Sequence, residues 1–536
     1  MICALDARTA IIVAQRRAVL LRVVGTLIAL LSAPLLAACE REPAPTRATR
    51  PVAADPAFCA QLQSTGANLS THLAPVAARM RTSTGVYTLE EGDVSMVARA
   101  WLTEAAERTI DVQYFIFSAD NVGLIAVDYL LRAANRGVTV RLLVDDFMLE
   151  ADGLALLALD AHPNIEIRLY NATTNIGKHL PAKLFNLTTD FRGFNQRMHN
   201  KTFIVDGQVV ITGGRNIADE YFDYDHAYNF RDRDVLLLGG ASADVQRSFN
   251  VFWEDALSTP VASLVRTTVT PADTATTYRY LHDYACDPRN FWPQVRQRIA
   301  SVPMTFDRIR ESGALVWSDS VTFVTDVPGK NAGANGLGGG GASTDALIRL
   351  ISGARTSVTI QSPYLVTTEV SQQLFREAIA RGVRVRILTN SLASTDNLDA
   401  FSGYQRERDA LLRIGVELYE FRPDAAVRRQ VMTGALQATL NFAPVFGLHA
   451  KSMVVDDQIA VIGTFNLDPR SANLNTECLA VIRDATIAGE LARAMRVDMQ
   501  PENAWHTTAD FNPDSGVRLG KRFAVWLRRV VPKAVL

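Results

Sequence analysis

The chain is poor in lysine, poor in cysteine and without an excess of either charge. Its 536 residues carry 55 Lys+Arg against 56 Asp+Glu, a formal net charge of −1. That balance argues against a strongly basic nucleic-acid binder. Only seven of the cations are lysines, so nearly all positive charge is arginine. Five cysteines, Cys3, Cys39, Cys59, Cys286 and Cys478, are widely spaced with no CxxC pair, which excludes a zinc ribbon and a dense disulfide framework. A hydrophobic fraction of 48% with 21% charged residues lies in the globular range and excludes a disordered or collagenous chain. At this length two to four domains are expected.

The uncharged run over residues 23–38 is 16 residues long, short of the roughly 20 needed for a membrane-spanning helix. Arg16, Arg17 and Arg22 precede it and Cys39 follows, the layout of an export signal. Leu36-Ala37-Ala38-Cys39 resembles a bacterial lipoprotein box, which implies lipidation of Cys39 after cleavage. An ordinary cleaved signal and an uncleaved anchor are the alternatives. The Pro-, Ala-, Thr- and Arg-rich stretch 41–57 reads as an extended tether. The expected location is the cell envelope, attached to the membrane through Cys39 and facing the periplasm; by resemblance to known lipoproteins, Glu40 implies the outer membrane.

The rest of the chain repeats itself. A strand-like segment ending near Phe117, a helical stretch to Gly137 and a second strand over 139–144 recur as 357–361, a helical stretch to Gly382 and 384–388. The offsets, from Gln113 to Gln361 and from Gly137 to Gly382, are nearly equal. Strands alternating with helices indicate an α/β fold of two tandem domains, each a mixed sheet flanked by helices. The glycine-containing stretch 328–343 lacks the spacing of a phosphate-cradling loop and reads as a flexible connector. The expected organisation is a signal over 1–38, a lipidated cysteine and tether over 39–85, domains over 86–310 and 311–510, and a basic amphipathic segment over 511–536.

Each half contains one His-x-Lys-x4-Asp pattern: His199, Lys201 and Asp206, then His449, Lys451 and Asp456. Apolar residues follow each lysine, so each motif opens a strand on which His and Lys share a face. Asn216 and Asn466 follow a Gly-containing turn downstream in each half and can return to the same cavity. An imidazole, an ammonium and a carboxamide from each half suit a phosphodiester. One imidazole can attack phosphorus, and the other can protonate the leaving alkoxide. The lysines and asparagines can stabilise the equatorial oxygens without a metal or other cofactor.

On these motifs, on Gly213-Gly214-Arg215-Asn216 with residues 219–222, and on residues 466–471 with Leu474-Asn475-Thr476-Glu477, the chain resembles the phospholipase D superfamily and, within it, the bacterial cardiolipin synthase C type. The resemblance covers roughly residues 90–510. It implies one active site shared at the domain interface, and metal-independent phosphatidyl transfer through a covalent phosphohistidine, making cardiolipin from two phospholipids. His199 and His449 are implied as nucleophile and general acid/base, with Lys201, Lys451, Asn216 and Asn466 on phosphate. Asp206 and Asp456 are implied to be mainly structural. Glu477 and Asp232 are the implied carboxylates orienting the histidines, with Asp234 competing for the second place. Gly214 and Thr464 depart from the serine usual in the superfamily. The implied partners are phospholipids, phosphatidylglycerol and phosphatidylethanolamine among them, and a bacterial membrane rather than nucleic acid. Hydrolysis to phosphatidic acid and cleavage of nucleic acid are the alternative activities.

Arg215 and Arg470 can bind a headgroup phosphate or form internal ion pairs, and Tyr364 can line a lipid pocket or pack in the core. Residues 517–536 combine six cations with Val517, Leu519, Phe523, Val525, Trp526, Leu527, Val530 and Val531. This segment can lie on an anionic bilayer or dock on the protein.

Overall fold

The structure, a computed structural model, describes residues 53–62, 66–146, 153–172, 196–332, 337–432 and 444–536. The expected signal, Cys39 and the start of the tether lie outside them. Nineteen strands are found among the described residues. The first ten are β1 (Thr84–Leu89), β2 (Thr109–Tyr114), β3 (Thr139–Asp145), β4 (Ile165–Tyr170), β5 (Thr202–Val205), β6 (Val209–Gly213), β7 (Tyr228–Arg231), β8 (Asp234–Gly239), β9 (Ser258–Pro260) and β10 (Val316–Ser318). The others are β11 (Val321–Thr325), β12 (Ser357–Gln361), β13 (Arg384–Asn390), β14 (Glu417–Phe421), β15 (Val445–Leu448), β16 (Ser452–Val455), β17 (Ile459–Gly463), β18 (Cys478–Ile482) and β19 (Ala504–Thr507).

The duplication is visible in the strand order. One sheet runs β10-β1-β8-β6-β5-β2-β3-β4-β9 and the other β11-β18-β17-β16-β12-β13-β14-β19. Apart from β10, every strand has a counterpart at the same place. In each sheet three strands are parallel, β2-β3-β4 and β12-β13-β14, and the rest pair antiparallel. The parallel strands of the first half alternate: Ile110, Val112, Val140, Leu142, Ile165 and Ile167 enter the core, and the intervening Asp111, Arg141 and Glu166 take the other face. Side-chain caps fix where the surrounding helices begin: Asp120, Thr368, Asn397 and Asp484 each accept a backbone N–H in the first turn of theirs.

The two halves share a core. Ile204, Val210, Val235 and Leu237 of the first sheet pack in one cluster with Val454, Ala460, Ile462 and Ala480 of the second, together with the helices Ser242–Glu254 and Ala485–Asp498. The other face of each sheet carries a core of its own. Residues 54–536 accordingly form one compact unit rather than two separable ones.

Three expected boundaries move. The tether is shorter than 39–85, because Phe58, Leu62, Leu69, Leu73 and Met80 are buried in the first-half core. A Cys59–Cys286 disulfide fixes that segment across a sequence separation of 227. The first half also runs past 310: β10 pairs with β1, and the chain crosses between the sheets at Asp319-Ser320. The stretch 328–343, expected as a flexible connector, is tied down in its described parts. Lys330 is buried and donates to Asp326 and to the Ser471 carbonyl, while Asn331 donates to the carbonyls of Gly340 and Asn473. A Cβ at Gly341 would lie 2.5 Å from the Lys330 side chain, so the glycine is there for close approach rather than flexibility.

Closing so long a loop makes the disulfide a clear stability element. Cys59→Ser or Cys286→Ser should lower unfolding free energy by about 2–4 kcal/mol in denaturant titrations, and reductant should produce the same change in the unsubstituted protein.

Candidate functional site

The site is built where chain segments of one half pair in parallel with segments of the other. β15 lies beside β7, with Leu448 opposite Arg231. The next residue on each side is His449 and Asp232, and the His449 and Ala450 N–H groups both donate to the Arg231 carbonyl. The counterpart is a parallel bridge between Met198 and Thr476. There His199 N–H donates to Thr476 O and Thr476 N–H to Arg197 O, which brings His199 beside Glu477.

Each histidine is therefore held by a carboxylate of the opposite half. His199 Nδ1 lies 2.8 Å from Glu477 Oε2, and His449 Nδ1 lies 2.6 Å from Asp232 Oδ2. All four residues are buried. An ionised carboxylate only accepts, so each Nδ1 carries the proton and each Nε2 keeps its lone pair. Aromatic rings flank both imidazoles: Phe115 edge-on to His199, and Tyr221 and Phe230 against His449.

The lysines lie at matching places. Lys201 Nζ donates to the His199 carbonyl at 2.9 Å and Lys451 Nζ to the His449 carbonyl at 2.6 Å. Each is the residue before its strand, so both motifs sit at the strand's entrance rather than within it. Burial lowers the Lys201 pKa to about 8, with Glu477 pulling the other way, and the Lys451 pKa to about 7, with Asp232 opposing. Burial likewise lowers His199 to about 4, offset in part by Glu477 and reinforced by Lys201 and Lys451. His449 falls to about 3 through burial, then Lys451, with Asp232 opposing and Lys201 adding to the fall. Each imidazole thus feels a lysine from the other half. The carboxylates go the opposite way: burial raises both, but their histidines and nearby lysines hold Asp232 and Glu477 below the usual carboxylate range. The site is crowded with basic groups, and an arriving anion would raise the pKa of each of them.

Gly214 and Thr464 match the carboxylates they support. Thr464 Oγ1 donates to Glu477 Oε2 at 2.5 Å. In the first half the shorter Asp232 reaches closer to the backbone, and a Cβ at position 214 would fall 2.0 Å from Asp232 Oδ1. The missing hydroxyl there is a consequence of the shorter acid.

Asn216 Oδ1 accepts from Ile116 N–H and its Nδ2 donates to the Tyr221 hydroxyl. Asn466 occupies the corresponding place, its backbone N–H donating to Ser471 Oγ and its Oδ1 buried with no hydrogen-bond partner. The expected set is brought together with two exceptions. Asp206 and Asp456 lie at the far end of β5 and β16, about 13 Å of strand from the lysines. Asp206 accepts from the backbone N–H groups of Glu107, Arg108 and Thr109, and Asp456 from those of Arg355, Thr356 and Ser357. Both have positive φ and clasp the turns ahead of β2 and β12, so these motif members hold structure and do not reach the histidines. Arg215 is likewise internal, donating to the carbonyls of Leu89, Glu90 and Asp232. Asp234 pairs with Arg99 and not with a histidine. Tyr364 donates to Asp396.

Sequence reasoning missed the residues that brace Asp232. Its neighbours Arg231 and Arg233 both bind Glu90, and Arg233 also donates to Gln361 and Ser452 of the second half. Asp498 accepts from Arg231 and Gln361. The alternation Arg231-Asp232-Arg233-Asp234 was the available signal.

A family model described as "Cardiolipin synthase, PLD-like domain" matches residues 102–253 and again 347–499. The chain belongs to that family. It is 33% identical to cardiolipin synthase C of Escherichia coli over 463 residues, covering 82% of this chain and 90% of that one. It is 24% identical to cardiolipin synthase 1 of Bacillus anthracis, covering 78% and 67%. A phosphatidylserine synthase of Haemophilus influenzae shares the fold, with a TM-score of 0.55 at 14% identity over 86% of this chain and 99% of that one.

The proton placement is open to a direct test. Nitrogen NMR of ¹⁵N-histidine-labelled protein should show two rings as neutral, Nδ1-protonated tautomers that persist from pH 8 down to pH 5. Assignment by His199→Gln and His449→Gln should identify them, and a titration of either ring near 6.5 would contradict the site's electrostatics.

Proposed function

We propose that this protein is a phosphatidyltransferase that makes cardiolipin from two phospholipids through a covalent phosphohistidine. The observation that carries the reading is the crossed pair of histidine–carboxylate contacts, which leaves two neutral imidazoles whose Nε2 atoms keep a lone pair beside two buried lysines, with His449 Nε2 2.8 Å from Lys451 Nζ. Cardiolipin synthase C of E. coli, which the chain resembles over most of its length, carries that activity in its name.

In the proposed reaction one Nε2 lone pair attacks phosphorus and the phosphorus–oxygen bond to the headgroup breaks. The departing oxygen takes a proton from the Nε2 of the other histidine. That histidine works as an imidazolium only once the phosphate's charge has raised its pKa, and its Nδ1–H stays on a carboxylate throughout. A hydroxyl of the second phospholipid then gives its proton back to the same Nε2 and attacks phosphorus. The phosphohistidine bond breaks and both histidines are restored. Lys201, Lys451, Asn216 and Asn466 hold the phosphoryl oxygens. Phosphatidylglycerol and phosphatidylethanolamine are the phospholipids proposed.

The proposed location is the cell envelope, with lipidated Cys39 attaching the protein and the body facing the periplasm. The Cys59–Cys286 disulfide supports export, since such bonds persist in oxidising compartments. Among the described residues no helix is long and apolar enough to cross a membrane.

Expression in a host lacking its own cardiolipin synthases, followed by lipid analysis, tests the activity. Cardiolipin should accumulate, and His199→Ala or His449→Ala should each cut it roughly 10²- to 10⁴-fold. Phosphatidic acid without cardiolipin would establish hydrolysis instead. Gly214→Ala should push Asp232 off His449 and lower kcat roughly 10²-fold with the fold retained, measured by lipid turnover alongside circular dichroism.

A further inference from the structure

The helix Leu519–Arg528 is attached to the body by one face only. Val525 and Arg528 are buried against the helix Leu398–Ile414, where Arg528 pairs with Asp399 and its carbonyl accepts from Ser402. The last residue, Leu536, is buried as well, and its carbonyl accepts from Arg470 N–H. Among the described residues, none covers the opposite face. Leu519, Phe523, Trp526, Leu527 and Val530 recur at helical spacing there, and they are five of the twelve large hydrophobic residues exposed among the described ones. Trp526 is 57% exposed and stacks on Phe523 at 5.7 Å.

The charges that this segment itself carries are of one sign. Residues 517–536 contain six cations and no Asp or Glu. Arg518, Arg522 and Arg529 are exposed beside the apolar stripe. An aromatic and aliphatic stripe edged by cations complements a bilayer interface carrying anionic lipids.

The helix also touches the rim of the active site. Lys521 donates to the carbonyls of Ala393 and Thr395. In the same loop Ser394 donates to Asn390 and accepts from the Tyr228 hydroxyl, and the Tyr228 ring packs on Phe230, which lies against His449. Asp396, from that loop, accepts from the Tyr364 hydroxyl, and burial raises its pKa against the opposing pull of Tyr364, Lys451 and Lys521.

We propose that this helix docks on an anionic lipid surface, burying Leu519, Phe523, Trp526, Leu527 and Val530, and so sets the rim formed by residues 391–397 against the bilayer. The docking stands on the helix alone; its purpose, delivery of phospholipid to His199 and His449, rests on the proposed function. It supplies a membrane contact beside the site, whatever holds the chain's other end.

Trp526 allows a direct measurement, because Trp101 and Trp253 are buried and Trp292, Trp317 and Trp505 are partly covered. The full chain is mixed with phosphatidylethanolamine–phosphatidylglycerol vesicles whose acyl chains are brominated. Tryptophan emission should be quenched, and the quenching should vanish in Trp526→Leu and weaken in pure phosphatidylcholine or high salt. The variant Phe523→Ser/Trp526→Ser/Leu527→Ser should lose roughly tenfold or more of its turnover on vesicles while keeping turnover of a soluble short-chain phospholipid. Absent quenching, quenching that survives Trp526→Leu, or equal losses on both substrates overturns the proposal. So does a dimer in sedimentation that the triple substitution disperses, since a second copy would then cover the face. Quenching without turnover of any phospholipid would leave the docking standing and refute the proposed function.

Discussion

Two short parallel pairings across the middle of the chain, Leu448 with Arg231 and Met198 with Thr476, are the constraint on which the site depends. Neither histidine has an orienting carboxylate in its own half. Backbone hydrogen bonds bring each His to an acid about 220 to 280 residues away in sequence, at 2.6–2.8 Å. Contacts of that length fix the tautomer of each ring and leave a lone pair on Nε2, which a motif cannot do by itself. A half folded alone would carry a histidine and a lysine but no carboxylate to hold the imidazole.

That dependence explains why the halves share a core instead of meeting at a polar surface. Sliding one sheet against the other by even a residue would separate both pairs, and packed interiors resist such displacement. Ile204 and Val210 packed against Val454 and Ala460 supply the resistance at the centre. Glu90 and Asp498, with Arg231, Arg233 and Gln361, supply a polar counterpart near Asp232. Lys330 does the same on the other side, fastening the chain between the sheets to the loop that carries Glu477. The scarcity of lysine takes on meaning in this setting. Arginine is spent on structural forks such as Arg215 and Arg233, whereas the two motif ammoniums are buried beside the histidines with pKa values lowered to about 8 and 7.

Much of the fold was legible in the residues. The near-constant offset between halves foretold the matched strand orders, because a duplicated pattern of apolar periods refolds into the same element order. The motif residues were legible for a similar reason, since chemistry restricts them to a few residue types at fixed spacing. Less was visible where composition misleads. The stretch from Pro56 to Met80 reads as tether and connector, yet a disulfide and five buried apolar side chains fasten it to the first half. Asp206 and Asp456 stand in the motif by spacing, but strand geometry carries them to the wrong end. The C-terminal segment was read as either docked or membrane-facing, and it docks by one face while exposing the other.

The sequence by itself determined the duplication, the two His-Lys pairs and the following asparagines, and its family resemblance implied Glu477 and either Asp232 or Asp234. Only the tertiary structure decided which acid serves which histidine, why position 214 has no side chain, and how the chain between the sheets is held. The reason is physical. Periodicity and spacing are properties of neighbours along the chain, whereas protonation, tautomer and permitted side-chain size at His449 or Gly214 are set by groups that meet only after the two sheets close on each other.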